Sequence, residues 1–264
     1  MKKSTIIAMV SAVILLLGIL WIAFCGFQWS WGPFAKLHDF KTAGLPGNAA
    51  EYEMSKVAPL DSSPLNGKQI IFLGSSVTYG AASKGVSFAD YIGVRNGCQV
   101  IKEAVSGTTL VDNGSSSYIS RLKKMEVPSA DLFVCQLSTN DATQKKTPGE
   151  ISQSRNMEDF DTTTVAGAME YIIAYAREKW NCPVVFYTNP KYGSDAYGNM
   201  VALLLQIADK WDISVIDLWN DTEFNNISQQ ERELYLADAI HPTQAGYLEW
   251  WTPRMEADLY RAAE

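Results

Sequence analysis

Four short stretches of the 264-residue chain carry groups that acyl transfer would use. Gly74-Ser75-Ser76-Val77-Thr78-Tyr79-Gly80 offers hydroxyls, and Val105-Ser106-Gly107-Thr108-Thr109 offers a permissive backbone. Ser138-Thr139-Asn140-Asp141 offers a side-chain amide. Asp238-Ala239-Ile240-His241-Pro242 offers a carboxylate three residues before an imidazole. Each has an ordinary structural reading when taken alone. A Gly-Ser-Ser is commonly a turn, Gly107 can serve a positive φ, Asn140-Asp141 can cap a helix, and Asp238 can cap the last helix. Together they supply a nucleophile, a base with an orienting carboxylate, and donors for a developing oxyanion.

Those groups need a scaffold that brings them together. Apolar runs at 70–73, 99–104, 132–137, 183–187 and 214–216 predict five short strands. Helical patterns at 88–94, 118–125, 164–180, 199–211 and 243–262 lie between and after them. Strands alternating with helices imply a parallel sheet covered on both faces, an α/β/α sandwich of three layers. Ligands of such sheets bind beyond the carboxyl ends of the strands. The first three stretches follow strands one, two and three, and the Asp-x-x-His pair follows the last strand.

In this order the stretches resemble the four signature blocks of the SGNH, or GDSL-like, serine hydrolases, from about Lys68 to the C-terminus. Residues 72–80 are similar to the first block, with Ser76 at the nucleophile position. Gly107 matches the glycine of the second block, Asn140 the asparagine of the third, and Asp238 and His241 the last. The family's common Gly-Asp-Ser reads Gly74-Ser75-Ser76 here, which alters how the nucleophile turn is braced. Its Gly-x-Asn-Asp reads Ser138-Thr139-Asn140-Asp141, which narrows the floor of the site. The resemblance implies a flavodoxin-like parallel five-stranded sheet and a carboxylic ester hydrolase working through an acyl-Ser76 intermediate. His241 would be the base, since the only other histidine is His38. Asp238 would hold its tautomer. The N–H groups of Ser76 and Gly107 and the Asn140 amide would form the oxyanion hole. Tyr79 and Tyr192, on loops at strand ends, are the expected substrate contacts.

Other features read as structural. Gly85-Val86-Ser87-Phe88-Ala89 lacks the second glycine of a nucleophile elbow and follows no strand. Ser87 with Asp90 instead marks a helix start. Asp141, Asp221 and Glu223 read as structural or surface carboxylates in preference to a carboxylate pair for glycoside hydrolysis. Tyr247, Trp250 and Trp251 share a helix face as a buried stripe. No dinucleotide, P-loop, His-Glu-x-x-His or Cys-x-x-Cys motif occurs, so no cofactor and no metal is expected. Cys98 and Cys182 open strand-like runs and could pair in an oxidising compartment, whereas Cys135 reads as core.

The N-terminus sets location. Residues 4–35 carry no charged side chain, and the run from Thr5 to Phe27 is long enough to cross ~30 Å of hydrocarbon as a helix. Lys2 and Lys3 favour a cytoplasmic N-terminus, which makes the chain a single-pass membrane protein with its catalytic domain outside. The alternative is secretion after cleavage of a signal sequence, though the run is longer than the usual apolar region of a signal. Phe24 before Cys25 disfavours a lipoprotein. The expected organisation is an anchor or signal at 1–27, an extracytoplasmic linker at 28–66 with interfacial Trp29 and Trp31 and one short helix near 49–57, and the hydrolase domain at 67–264. From Lys36 onward the net charge is −9, unsuited to nucleic acid. The expected substrate is a small ester, an acylated glycan or a lipid ester of the cell envelope. An O-acetyltransferase using the same triad and a non-catalytic glycan-binding module are the alternatives.

Overall fold

A computed structural model describes residues 3–29, 32–34 and 36–264. Lys2 and Trp31, invoked above for orientation and interfacial contact, lie outside the described residues, as do the side chains of Lys3, Trp29 and His38.

The sheet is parallel and its five strands are β1 (Gln69–Gly74), β2 (Gln99–Ala104), β3 (Leu132–Gln136), β4 (Val184–Tyr187) and β5 (Ser214–Ile216). They lie in the order β2-β1-β3-β4-β5, the flavodoxin-like winding with its switch point between β1 and β3. Two helices precede the sheet, α1 (Lys3–Trp29) and α2 (Leu37–Ala43). After β1 come α3 (Ser76–Tyr79) and α4 (Phe88–Asn96), and after β2 comes α5 (Tyr118–Lys124). After β3 come α6 (Thr139–Thr143) and α7 (Val165–Trp180). Then α8 (Asp195–Trp211) follows β4, and α9 (Gln229–Tyr235) and α10 (Thr252–Ala262) follow β5.

Successive side chains of a strand point to opposite faces, and here both faces are buried. Ile71, Leu73, Phe133 and Cys135 enter one core with α5, α7 and α8. Ile70, Phe72, Leu132 and Val134 enter the other with Phe88, Tyr91, Tyr247 and Trp251. That two-sided burial is why β1, β3 and β4 read as continuous apolar runs, whereas the edge strand β2 carries Lys102 and Glu103 and is only partly buried. The Ser87–Asp90 pair is a capping box at the start of α4. Asp221 accepts from Phe224 N and from Arg254. Tyr247 and Trp251 are fully buried, while Trp250 stacks on Phe224 at 4.6 Å.

Several elements differ from expectation. The helix near 49–57 is two 3₁₀ turns, Ala50–Tyr52 and Met54–Lys56, interrupted by the extended Glu53. Helices α2 and α9, of seven residues each, lie where the sequence pattern predicts no helix. Helix α8 starts earlier than 199 because the Ser194 side chain caps it by accepting from Tyr197 N. The final helix opens with a π-helical turn, Gly246–Trp251, ahead of Pro253. A proline lacks the N–H that an α-helical ladder needs there, and a π turn relieves that register. The second half of the expected linker is packed on the domain: Leu65 is fully buried, and Tyr91 donates its hydroxyl proton to Tyr52 O at 2.6 Å.

Helix α1 contains a 24-residue stretch, Thr5–Gln28, of mean hydropathy 2.8. At 1.5 Å per residue its 27 residues extend about 40 Å. It is long and apolar enough to cross a membrane, a property shared by anchors and signal sequences.

Cys98 packs on one core and Cys182 in the other, so the sheet separates them, and both thiols are free, as are Cys25 and Cys135. The purified chain, denatured without reductant, should titrate four thiols; titration of only two would show that a disulfide forms.

Candidate active site

The turn from β1 into α3 presents Ser76 as the first residue of the helix, 7% exposed. The first amide of a helix has no acceptor within the helix, so the Ser76 N–H is suited to an incoming oxygen. Ser76 Oγ lies 2.8 Å from His241 Nε2. On the other side of the ring, His241 Nδ1 lies 2.8 Å from Asp238 Oδ2 and 3.0 Å from Oδ1. With a carboxylate at Nδ1, the neutral ring carries its proton there and leaves Nε2 to accept from Ser76. Asp238 Oδ1 also accepts from Ile240 N and His241 N, each at 2.8 Å. One carboxylate therefore shapes the turn and orients the ring. Burial acts to raise the Asp238 carboxyl, but the His241 hydrogen bond and charge and the two backbone N–H groups outweigh it and hold it at about 2. The side chain is 54% exposed, so water screens much of that stabilisation. Asn189, just after β4, donates from Nδ2 to Ile240 O at 3.2 Å and ties the turn to the sheet.

Gly107 has φ +80°, at the third position of a turn closed by Thr108 N donating to Val105 O at 3.4 Å. A Cβ at this glycine would meet open space, so the left-handed backbone and not crowding requires glycine. Asn140, in α6, donates from Nδ2 to Thr108 O at 2.9 Å. Ser138 caps α6 by accepting from Asn140 N, and its hydroxyl donates to the same Thr108 carbonyl at 3.2 Å. The loops after β2 and β3 are thus joined, and the Asn140 amide has a second N–H beyond the one Thr108 takes. Asp141 accepts from Leu110 N at 2.8 Å and Val111 N at 3.3 Å. Burial raises its carboxyl despite those bonds.

Three bracing residues were not foreseen. Gln136, at the carboxyl end of β3, is fully buried. Its Oε1 accepts from Ser75 N at 2.9 Å, Thr78 Oγ1 at 2.8 Å, Thr78 N at 3.3 Å and Ser75 Oγ at 3.3 Å. The residue that replaces the family's aspartate therefore faces Gln136, while Ser76 faces His241. Arg121 in α5, 8% exposed, donates to Gly74 O at 2.8 Å, Glu103 O at 2.8 Å and Thr108 Oγ1 at 3.2 Å. It pins the ends of β1 and β2 to the Gly107 loop. Asn189 is the third. The available signal was a polar residue closing an apolar strand (Leu132-Phe133-Val134-Cys135-Gln136) and a lone arginine inside an amphipathic helix.

Tyr79, the last residue of α3, is 45% exposed with Lys102 Nζ 5.9 Å from its ring centre, and Val105 is 40% exposed. Tyr192 packs elsewhere: its ring lies 5.3 Å from Tyr197 and 5.5 Å from Trp219, and its hydroxyl is buried, with burial pushing it up to about 12. Its contacts are those of a core residue. Among the described residues, no group of three or more His, Cys, Asp and Glu side chains is arranged to hold a metal.

The sequence model described as GDSL-like Lipase/Acylhydrolase family matches residues 72–248. Among curated proteins none matches the chain. Solved structures similar to it include a Lactobacillus plantarum protein, 19% identical, covering 74% of this chain and 97% of its own, with TM-score 0.63. A member of the lipolytic protein G-D-S-L family from Veillonella parvula DSM 2008 is 16% identical over 73% of this chain and 98% of its own, with TM-score 0.54. The acetyl xylan esterase AlAXEase is 15% identical over 72% of this chain and 99% of its own, with TM-score 0.52.

Two outcomes follow from this geometry. Gln136→Met keeps the volume but removes the acceptor shared by Ser75 and Thr78, leaving buried N–H and O–H groups unpaired at about 1–3 kcal/mol; denaturant unfolding should show that loss, and the rate of esterolysis should fall with it. The Asp238 carboxyl, lowered to about 2 from an ordinary 3.8, stabilises the fold above pH 3.8, and this contribution is lost as pH falls through about 2. Between pH 5 and 2 the wild-type unfolding midpoint should fall more steeply than that of Asp238→Asn; parallel curves would show that the carboxylate is not held.

Proposed function

The chain belongs to the GDSL-like lipase/acylhydrolase family, and from that premise we propose that it is a serine esterase acting through an acyl-Ser76 intermediate. The observation that carries this reading is the continuous contact from Ser76 Oγ to His241 Nε2 at 2.8 Å and from His241 Nδ1 to Asp238 at 2.8 Å. A serine hydroxyl is a weak nucleophile until a base takes its proton. As Oγ attacks the acyl carbon, His241 Nε2 receives that proton, and Asp238 stabilises the imidazolium. The carbonyl oxygen becomes an oxyanion facing the Ser76 and Gly107 N–H groups and the Asn140 amide. Collapse of the tetrahedral adduct expels the alcohol, which takes the proton back from His241. Water, deprotonated by the same imidazole, then cleaves acyl-Ser76 and returns the enzyme with a free carboxylic acid.

An acetyl or short-chain acyl group on a bulky alcohol suits the site. Tyr79 and Val105, Ser106 and Gly107 are all exposed, which leaves room for a glycan or lipid headgroup as the alcohol. An acetyl xylan esterase shares the fold. We place the catalytic domain outside the cytoplasm, with α1 as an uncleaved anchor, because its apolar stretch exceeds the usual core of a signal sequence. N-terminal sequencing of the mature protein checks this, since a start beyond Phe27 would indicate cleavage.

The reading is tested by assaying the chain on p-nitrophenyl acetate, longer-chain esters, acetylated xylan and acetylated peptidoglycan, with a serine-directed phosphonate as active-site label. Wild type should hydrolyse short-chain esters and label once. Ser76→Ala should lose labelling and at least roughly 10³-fold in kcat, in line with loss of a triad member. A wild type with neither turnover nor labelling refutes the proposal, and labelling that persists in Ser76→Ala but not in Ser75→Ala moves the nucleophile.

A further inference from the structure

Residues 46–57 precede the first strand and lie outside the segment that matches the family, yet they are built into the site. Gly47 leaves no room for a side chain: a Cβ there would collide with Leu234 O and with Thr243, two residues beyond His241. The next residue, Asn48, is 1% exposed and spends its whole carboxamide on three separate segments. Nδ2 donates to Ala82 O at 2.7 Å and to Thr42 O at 2.9 Å. Oδ1 accepts from Gln244 N at 2.8 Å. Ala82 stands six residues after Ser76, and Gln244 three residues after His241. Lys84, from the same loop as Ala82, reaches Asn48 O at 2.8 Å.

We propose that Asn48 is a positioning residue of the active site, a clamp that joins the loop behind the nucleophile to the segment behind the catalytic histidine. The inference rests on the esterase reading above. The partners of Asn48 are 34 and 196 residues away in sequence, so neither loop holds the other locally. Each is buried where it meets the amide, and an unmade bond there leaves a polar backbone group without water. The two loops carry Ser76 and His241, and misplacement of reacting groups by about 1 Å can cost on the order of 10²-fold in rate. The same amide holds Thr42 O of α2, so the segment leading from α1 is anchored directly to the catalytic loops.

The variants are Asn48→Ala, which removes all three bonds, and Asn48→Asp, which keeps the Gln244 bond but sets an oxygen against the carbonyls of Ala82 and Thr42. Both are made in the full-length chain in detergent and compared with wild type for kcat and KM on p-nitrophenyl acetate, rate of phosphonate labelling, and thermal midpoint. The clamp predicts kcat and labelling rate reduced about 10–100-fold per folded molecule, with KM within about twofold. Wild-type kcat in the variants, or activity lost only in proportion to the folded fraction, overturns it. If neither variant folds, Gln244→Pro is compared with Gln244→Ala: both lose the buried side chain, and only the proline also deletes the N–H that Asn48 accepts, at a helix start where proline is tolerated. A lower kcat for the proline than for the alanine variant at unchanged KM supports the clamp, and equal kcat refutes it. A wild type that takes no phosphonate overturns the esterase reading instead, whereas a wild type that labels alongside variants labelling at the same rate overturns the clamp alone.

Discussion

Ser76 and His241 stand 165 residues apart in sequence and 2.8 Å apart in space, and the rest of the domain can be understood as what keeps that contact. A hydrogen bond between two loop residues is worth little by itself, about 0.5–1.5 kcal/mol net, too little to order the chains that carry it. The order comes from elsewhere. The parallel sheet sends β1, β2 and β3 to a common edge, and the carboxyl ends of those strands turn into the loops that hold Ser76, Gly107 and Asn140.

Below the site lies a layer of buried polar side chains that act on backbone more than on each other. Gln136 accepts from the N–H groups of Ser75 and Thr78, Arg121 donates to the carbonyls of Gly74 and Glu103, and Asp141 accepts from the N–H groups of Leu110 and Val111. Each of these loops leaves the sheet ladder and must satisfy its backbone groups by other means. A side chain fixed in a strand or helix does so and also sets where the loop goes. The substitution of serine for the family's aspartate at position 75 fits this arrangement, because Ser75 is fully buried and its N–H and hydroxyl meet the neutral amide of Gln136. The Asp238 turn follows the same logic, with one carboxylate ordering two backbone N–H groups and the imidazole.

The segment before the sheet belongs to this scaffold. Residues 46–66 contribute Leu65 to a core, a carbonyl to Tyr91 and the Asn48 amide to the segments that follow Ser76 and His241. A chain tethered through α1 would therefore have its tether joined to the site through α2 and Asn48, with no free spacer between Thr42 and the domain.

Much of the architecture was legible in the sequence. Five strand-like runs with helices between them determined a parallel sheet covered on both faces, and the central strands, buried on both sides, read as continuous apolar runs. The order of the four polar stretches along that pattern placed Ser76, Gly107 and Asn140 after β1, β2 and β3 and the Asp238–His241 turn after β5. What the sequence could not determine was how those loops are held. The local pattern of residues 46–57 is that of a polar, proline-flanked linker, and nothing in it reports that Asn48 will meet Gln244, 196 residues away. Tyr192 read as a rim residue because it follows a strand end, but packing against Tyr197 and Trp219 turned it inward. Ser75 and Ser76 are the same residue type side by side, and only the backbone turn into α3 sends one hydroxyl to Gln136 and the other to His241. Periodicity is a local property and survives in the sequence. Hydrogen bonds between distant loops depend on where the fold brings their ends, and that is decided only once the sheet has formed.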